Sequence, residues 1–253
     1  MAEVLRRFER IPSRLKRLGW KRLLIALWRS VADTVHHWAW DVWHGVETRK
    51  QVPLKDLGVE GSSYSENPEH FITPGWNGDY SSSASWKFPE RLKRLNLEWQ
   101  QYTYVDLGAG KGKTLLLAAE FPFIRVIGVE FSHKLVTIAK NNVRNQRNFN
   151  FKCRDIEVIE LDAAAYEFPL TPLVLYCFNS FPEPVMRVVL ENLRRSFEEH
   201  PREIYMIYTH PALESLVSDY GFFTLIDSSG GVESVGGHRS YRAVLPEAQP
   251  SGQ

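Results

Sequence analysis

Residues 104–114 read YVDLGAGKGKT, so a short apolar run is followed at once by three glycines at alternate positions. Leucines and alanines at residues 115–119 continue the stretch with a helical pattern. This order predicts a buried strand, a tight loop and a helix, which together bring backbone N–H groups and a helix N-terminus to a ligand. Glycine suits such a loop because it adopts positive φ and lets the backbone approach a ligand closely.

Two familiar phosphate-binding loops do not fit this stretch. The loop of P-loop nucleotide-binding enzymes, G-x-x-x-x-G-K-[ST], matches at residues 112–114 but requires its first glycine at Leu107. The dinucleotide fingerprint G-x-G-x-x-G requires its third glycine at Lys113. The pattern D-x-G-x-G-x-G is matched at every fixed position, by Asp106, Gly108, Gly110 and Gly112.

In this last pattern the stretch resembles the first motif of class I S-adenosylmethionine-dependent methyltransferases. The resemblance implies an α/β fold with a Rossmann-like, seven-stranded and mostly parallel sheet, helices on both faces and a closing antiparallel strand. It also implies S-adenosyl-L-methionine as the cofactor. An N-terminal helical segment is expected to precede this domain.

Alternating strand and helix patterns over about residues 85–245 agree with the resemblance. Such alternation predicts a parallel sheet that is covered on both faces. The predicted strands are 102–107, 125–130, 156–161, 173–178, 203–209, 222–227 and 239–245. The predicted helices of this part are 86–97, 112–120, 132–145, 184–199 and 211–218.

Composition divides the 253 residues into four parts: a basic, Trp-rich helical segment (1–45), a loop-rich wrap (46–84), the methyltransferase domain (85–246) and a flexible tail (247–253). The net charge is only +1, which gives no general argument for nucleic acid. The first 50 residues are nevertheless basic, with 11 Lys and Arg against 5 Asp and Glu.

Helices are predicted at 3–11 and 14–44, because apolar residues recur there at three- and four-residue steps. Two interpretations of this stripe stay open. It packs on the catalytic domain, which we expect because a stripe at helical spacing is usually core, or its basic flanks hold residues 1–44 on an anionic membrane surface or nucleic acid. The stripe consists of Leu24, Leu27, Trp28, Val31, Val35, Trp38 and Val42.

The two cysteines, Cys153 and Cys177, form neither a metal-binding spacing nor a disulfide framework. The longest apolar run, residues 23–28, is too short to span a membrane, and no signal peptide is evident. We therefore expect a cytoplasmic protein without a metal site. The oligomeric state is left open.

Carboxylates at the ends of three successive strands are the candidate cofactor ligands, since ligands of open α/β sheets lie beyond the carboxyl ends of the strands. Glu130 follows Asp106 by 24 residues and is placed to accept the ribose hydroxyls. The resemblance implies that Asp162 and Ala163 bind the adenine, and that Asp106 acts through the loop on the methionine part. The cofactor-binding set is Asp106, Gly108, Ala109, Gly110, Gly112, Glu130, Asp162 and Ala163.

The candidate catalytic residues follow the fourth and fifth strands. Residues 179–182 read NSFP, where enzymes that methylate planar amino groups often carry [DN]-P-P-[YF]. The paired prolines are absent, and the stretch resembles the Asn-x-Phe turn of non-SET histone-lysine methyltransferases and of little-characterised bacterial methyltransferases. This implies that Asn179 accepts amine N–H groups and that Phe181 holds the acceptor. His210 is a candidate proton acceptor, whereas a strand-end cap at Asn179 and a turn at His210 are the structural alternatives.

We therefore expect a methyltransferase that acts on an amine, either a protein lysine or another amino-bearing substrate whose identity the sequence leaves open. Two alternatives are kept. One is a non-catalytic scaffold that binds the cofactor and contacts a partner through the basic segment. The other is a P-loop nucleotide-binding enzyme, which the spacing of residues 107–114 opposes.

Overall fold

The sheet that the alternating pattern predicts is present in the computed structural model, which describes residues 35–53, 56–57, 87–230 and 237–244. Its strand order is β3-β2-β1-β4-β5-β7-β6. Strands β1 to β5 run parallel, and β7 is antiparallel to both β5 and β6. The strands are β1 Thr103–Leu107, β2 Arg125–Glu130, β3 Ile156–Glu160, β4 Leu173–Phe178, β5 Ile204–Thr209, β6 Phe223–Ser229 and β7 His238–Ala243. The predicted fold class is confirmed.

The chain divides into two compact units, Met1–His44 and Gly45–Gln253. In the first unit, residues 35–44 form helix α1, which confirms the end of the predicted helix 14–44. Several apolar side chains of this helix are exposed, namely Val35, Trp38, Val42 and Trp43. The predicted helix 3–11 and the rest of the stripe lie outside the described residues, so the packing of the segment stays a prediction.

The helices of the second unit are α2 Phe88–Arg94, α3 Lys113–Ala118, α4 His133–Asn145, α5 Glu183–Glu199 and α6 Glu214–Asp219. One apolar cluster joins α2 and α3 to one face of the sheet, with Phe88 and Leu115 fully buried. A second cluster joins α5 to the opposite face through residues such as Met186 and Leu193. Because both faces are covered, the central strands are apolar on both sides, as β1 and β5 show by being buried throughout.

Most predicted elements agree with the observed ones to within two residues, whereas α2 ends three residues earlier than predicted and α6 starts three residues later. Helix α3 starts at Lys113 because Gly112 lies in the left-handed region. Helix α6 starts at Glu214 because residues 210–213 form a turn, in which the Ala212 N–H donates to the carbonyl of His210. None of the described helices is long and apolar enough to cross a membrane.

The described part of the predicted wrap, residues 46–53 and 56–57, is irregular apart from short local structure. Residues 54–55 and 58–86 lie outside the description. The segment belongs to the second unit, and Val52 and Leu57 are buried against Leu135 of α4. It therefore lies against the helix that follows β2, on the side of the sheet where β1 and β2 end.

Candidate cofactor and acceptor site

The glycine-rich loop between β1 and α3 has a backbone that only glycine adopts readily. Gly108, Gly110 and Gly112 have φ values of +83°, +55° and +76°. A Cβ atom on Gly108 would lie 2.6 Å from the side chain of Ser180. The loop after β1 and the turn after β4 are thus in contact, which brings the predicted cofactor and acceptor regions together.

Backbone hydrogen bonds tie this loop to the end of β2. The N–H groups of Gly108 and Ala109 both donate to the carbonyl of Val129, at 2.9 and 3.0 Å. The Gly110 N–H donates to Oε2 of Glu130 at 2.9 Å. The loop conformation and the position of Glu130 therefore depend on each other.

Glu130 is almost completely buried at the end of β2. Burial raises the pKa of its carboxyl group, and the backbone N–H groups of Ser132, Gly110 and Phe131 act in the opposite direction. Both carboxylate oxygens accept backbone bonds, Oε1 from Ser132 at 3.0 Å and Oε2 from Gly110. Since a carboxylate oxygen has two acceptor directions, this arrangement retains capacity for the ribose hydroxyls predicted to bind here.

Asp106 is buried within β1 and accepts a hydrogen bond from the hydroxyl of Thr114. Burial raises the pKa of Asp106 to about 7, the Thr114 bond lowers it and the charge of Glu130 raises it. Among the residues that the structure describes, no Lys or Arg forms an ion pair with Asp106 or Glu130. Two buried carboxylates beside the glycine-rich loop match the charge of S-adenosylmethionine, which carries a sulfonium and an ammonium group.

Asp162 caps the short turn that follows β3. Its Oδ1 accepts from the N–H of Ala164 at 2.9 Å, and Ala163 is buried. The Leu161 N–H donates to the carbonyl of Glu130 at 3.0 Å, so this turn lies beside the end of β2. The position agrees with adenine binding by Asp162 and Ala163, which stays a prediction.

On the acceptor side, Asn179 and His210 follow neighbouring strands. Phe178 of β4 is paired with Thr209 of β5, so the next residue of each strand lies at the same edge. Asn179 and His210 have positive φ, +39° and +51°, which is uncommon outside glycine. Such conformations concentrate at functional sites when the surrounding structure holds them, and here the ring of His210 stacks on Phe178 with centroids 6.1 Å apart.

Phe181 is the third candidate catalytic residue, and the residue is 6% exposed. It packs within the apolar cluster that also contains Val185 of α5. In this structure the ring therefore stabilises the turn after β4 from within the core. Its predicted contact with the acceptor stays a prediction.

Sequence reasoning missed a buried polar group inside the loop. Lys111 is fully buried, and its Nζ donates to Oε1 of Glu47 at 2.9 Å and to the carbonyl of Lys50 at 2.8 Å. Asn142 of α4 donates to the Lys111 carbonyl at 2.9 Å. The only signal in the sequence was a lysine between two glycines, because its partners are distant along the chain.

A second group of polar residues, which the predicted cofactor-binding and catalytic sets do not include, lies next to the His210 turn. Arg91 of α2 is buried and donates to Oγ1 of Thr209 at 2.8 Å. His238, paired with Thr209 across β5 and β7, is within 2.7 Å of the Ser229 hydroxyl and 3.2 Å of Asp227. Burial lowers the pKa of His238, which the bond to Asp227 opposes. Within the described ranges, no group of three or more His, Cys, Asp or Glu is placed to hold a metal ion.

Parts of the chain that contain residues of this site are similar in sequence to known methyltransferases. Residues 105–200 match the family described as methyltransferase domain. The ubiquinone biosynthesis O-methyltransferase of Coxiella burnetii is 35% identical over 85 residues, which are 31% of this chain and 35% of the relative. The chain thus spans about a third of the length of that curated relative.

Solved structures resemble the chain more distantly. Glycopeptide N-methyltransferase MtfA with S-adenosyl-L-homocysteine is 14% identical, with a TM-score of 0.46 over 64% of this chain and 91% of that one. Ribosomal protein L11 methylase from Lactobacillus delbrueckii subsp. bulgaricus is 13% identical, with a TM-score of 0.44 over 70% and 90%. The glycine loop, the strand order and the family match together identify residues 105–200 as a class I methyltransferase domain whose cofactor is S-adenosylmethionine.

Proposed function

We propose that the chain is a methyltransferase that transfers the methyl group of S-adenosylmethionine to an amino group, on a protein lysine or another amine. The observation that carries the proposal is the turn at Asn179, which follows the fourth strand and touches the cofactor loop through Ser180 and Gly108. The amide oxygen of an asparagine at this place accepts an N–H bond and orients the nitrogen lone pair.

The residues of this site have separate roles in the proposed reaction. When bound, S-adenosylmethionine supplies a methyl group on a positively charged sulfur. Asp106 and Glu130 hold the methionine and ribose parts, while Asn179 aligns the acceptor nitrogen. Together these residues would hold the methyl donor and the acceptor nitrogen in line, which is expected to supply most of the acceleration.

His210 is the proposed proton acceptor. An acceptor that arrives as an ammonium ion must lose a proton before its lone pair is available, and His210 follows β5 at the edge where Asn179 follows β4. Its stacking on Phe178 fixes the ring at this edge.

O-methylation of a hydroxyl group is the second candidate, since the curated relative is named an O-methyltransferase. A hydroxyl acceptor would need a base at the transferring oxygen, and His210 is the nearest candidate on this edge. The two candidates differ in the atom that is methylated, which a product analysis distinguishes. The full chain is incubated with isotopically labelled cofactor and, separately, lysine-containing peptides, small primary amines and phenols.

We expect mass-labelled N-methyl products, with a rate that falls in Asn179→Ala while cofactor affinity is kept. If methyl ethers are the only products, the acceptor is a hydroxyl group, and O-methylation replaces N-methylation as the proposed reaction. Cofactor binding without any transfer to a proteome extract would support the scaffold alternative instead.

We also propose the cytosol as the compartment, because Cys153 and Cys177 are both present as thiols. Residues 1–44 stay a candidate contact for an anionic membrane surface or nucleic acid. Co-sedimentation of the full chain with anionic and neutral vesicles, and a gel-shift assay with RNA and DNA, test this contact. Binding in neither assay would leave packing as the role of the apolar stripe.

A further inference from the structure

The side chain of Lys111 links the cofactor loop to residues 45–53. Lys111 lies between Gly110 and Gly112, so among residues 110–112 it alone has a side chain that can fix the loop to another part of the protein. Its ammonium group is completely enclosed and donates to Glu47 and to the carbonyl of Lys50. The Glu47 side chain is 56% exposed, which places the ion pair at the boundary between the loop and solvent.

Asn142 holds the same two residues through their backbones. Its Nδ2 group donates to the carbonyl of Lys111 at 2.9 Å and to that of Glu47 at 3.2 Å. Its Oδ1 accepts from the N–H of Glu47 at 2.8 Å. One buried amide on α4 therefore fixes Glu47 and the cofactor loop relative to each other.

Additional contacts hold the segment that carries Glu47. The Ser132 hydroxyl, at the N-terminus of α4, donates to the carbonyl of Leu57 at 2.6 Å. Val52 and Leu57 are buried against Leu135. Glu47 is thus held on the protein by its neighbours independently of its bond to Lys111.

The loop needs such an anchor because glycine loses more conformational freedom on ordering than any other residue. Three residues of the loop have positive φ, and a ligand that binds to a mobile loop must order it at a cost in affinity. A buried ammonium that loses a carboxylate partner is destabilised, since part of the compensation of its charge is removed. The pair therefore favours the loop conformation in which Lys111 reaches Glu47.

We propose that Glu47 is a positioning residue for cofactor binding: through Lys111, and together with Asn142, it holds the glycine loop in its binding conformation. Glu47 acts through Lys111 and without touching the cofactor itself. The inference rests on cofactor binding by this domain and is independent of which acceptor is methylated.

The test compares cofactor affinity and loop order in the full chain. S-Adenosylhomocysteine binding is measured by calorimetry for the wild type, Glu47→Ala, Glu47→Gln and Lys111→Met, with melting temperatures recorded in parallel. Asp56→Asn is the matched control, because Asp56 lies in the same segment and pairs with Lys134 on the surface at 3.7 Å. It removes a carboxylate of the segment that does not reach the loop.

We expect Kd to rise about tenfold in Glu47→Ala and in Lys111→Met, to rise less in Glu47→Gln, which retains an acceptor, and to stay within about twofold in Asp56→Asn. The effects of Glu47→Ala and Lys111→Met should not add in the double variant, since each removes the same interaction. In the absence of cofactor, the amides of Gly110 and Gly112 should exchange hydrogen faster in Glu47→Ala.

A purely structural role for Glu47 makes a different prediction. It would lower the melting temperature while Kd, measured well below that temperature, and the exchange of the loop amides stay as in the wild type. That result, or additive effects in the double variant, would overturn the proposal. If Glu47→Ala does not fold, Glu47→Gln and Lys111→Met carry the same comparison, because both keep the side-chain volume.

Discussion

The two halves of the site are built in different ways. On the cofactor side, backbone groups and short-range contacts dominate: glycines with positive φ, and Glu130 bound to the N–H groups of Gly110 and Ser132. On the acceptor side, the residues with positive φ are the candidate catalytic residues themselves, Asn179 and His210. Buried polar residues from distant parts of the chain, Arg91 and His238, lie next to them.

This difference indicates that a cofactor shared by many enzymes can be bound by a local sequence motif. The acceptor region, in contrast, consists of residues that only the tertiary structure brings together. Changes on the cofactor side should alter binding, and changes on the acceptor side should alter turnover. The predictions below test this separation, starting with the largest expected effect.

Gly108→Ala should abolish measurable cofactor binding, with a loss of about 100-fold or more. The added Cβ would be strained at φ +83° and would collide with Ser180 at 2.6 Å. Gly221→Ala is the matched control, because φ is +81° there and no atom lies within 4 Å of the added Cβ. Calorimetry with S-adenosylhomocysteine and thermal melting separate the two effects.

The control variant should lose about 1 kcal/mol of stability through backbone strain and keep its affinity. Equal affinities for the two variants would mean that the contact between the loop and the turn after β4 is not needed for binding. The two halves of the site would then be less closely joined than the structure indicates.

Glu130→Ala should weaken cofactor binding by about 100-fold, because two charge-assisted hydrogen bonds of roughly 1.5–3 kcal/mol at most each are lost. The loop also loses the acceptor of the Gly110 N–H. Glu160→Ala is the control, since Glu160 is paired with Glu130 in register at the end of β3 and its side chain is 44% exposed. Unchanged affinity in Glu130→Ala would remove this carboxylate from the cofactor site.

Much of the fold and of the cofactor half follows from local sequence. The strand that ends in Asp106, the glycines and the carboxylate at Glu130 lie in fixed order because one βαβ unit forms both sides of the loop. Ser132 is likewise a local signal, as the N-cap of α4.

The partners across the fold were not predictable in this way. Glu47 and Lys111 are 64 residues apart, and Arg91 and Thr209 are 118 apart, so no spacing rule connects them. The positive φ of His210 was also not evident, because only a small minority of non-glycine residues adopt it even where, as for histidine, it is enriched. Its conformation is set by the turn and by the Gly237 carbonyl that accepts its N–H. These features depend on how the elements pack.

Asn179→Ala should lower the methylation rate by about 10- to 30-fold, as expected for one lost hydrogen bond to the acceptor. Cofactor affinity should stay within about twofold, since Asn179 lies beyond the loop that binds the cofactor. Rates on the identified acceptor and calorimetry with S-adenosylhomocysteine provide the two numbers. Asn179→Gly serves as the second variant, because glycine accepts the observed φ of +39° without strain.

If both variants keep the full rate, Asn179 is a strand-end cap and the amine argument fails. A rate that falls in Asn179→Ala but recovers in Asn179→Gly would show that backbone conformation, and not the amide group, is what the reaction needs. Either result would weaken the separation between binding and turnover at this position.

The last prediction concerns pH. The pKa of Asp106 is raised from its ordinary value to about 7 by burial, so in the free protein this group keeps its proton between about pH 4 and pH 7, where an unfolded chain has lost it. Stability of the free protein should therefore decrease as the pH rises through this window and level off above it.

A bound ligand with positive charge favours the ionised carboxylate and must displace the proton within the window. Affinity for S-adenosylmethionine should then increase from pH 5.5 to pH 7.5, by about tenfold per pH unit at most for one proton.

The raised pKa of Glu130 acts in the same direction, so Asp106→Asn should reduce this pH dependence without removing it completely. Calorimetry in buffers that differ in ionisation enthalpy measures the proton release directly. Affinity that is flat across the window in the wild type would show that Asp106 is already ionised in the free protein. The negative charges of the buried carboxylates would in that case be compensated by groups of the protein itself. The fit between this half of the site and a cationic cofactor would then depend on the glycine loop alone.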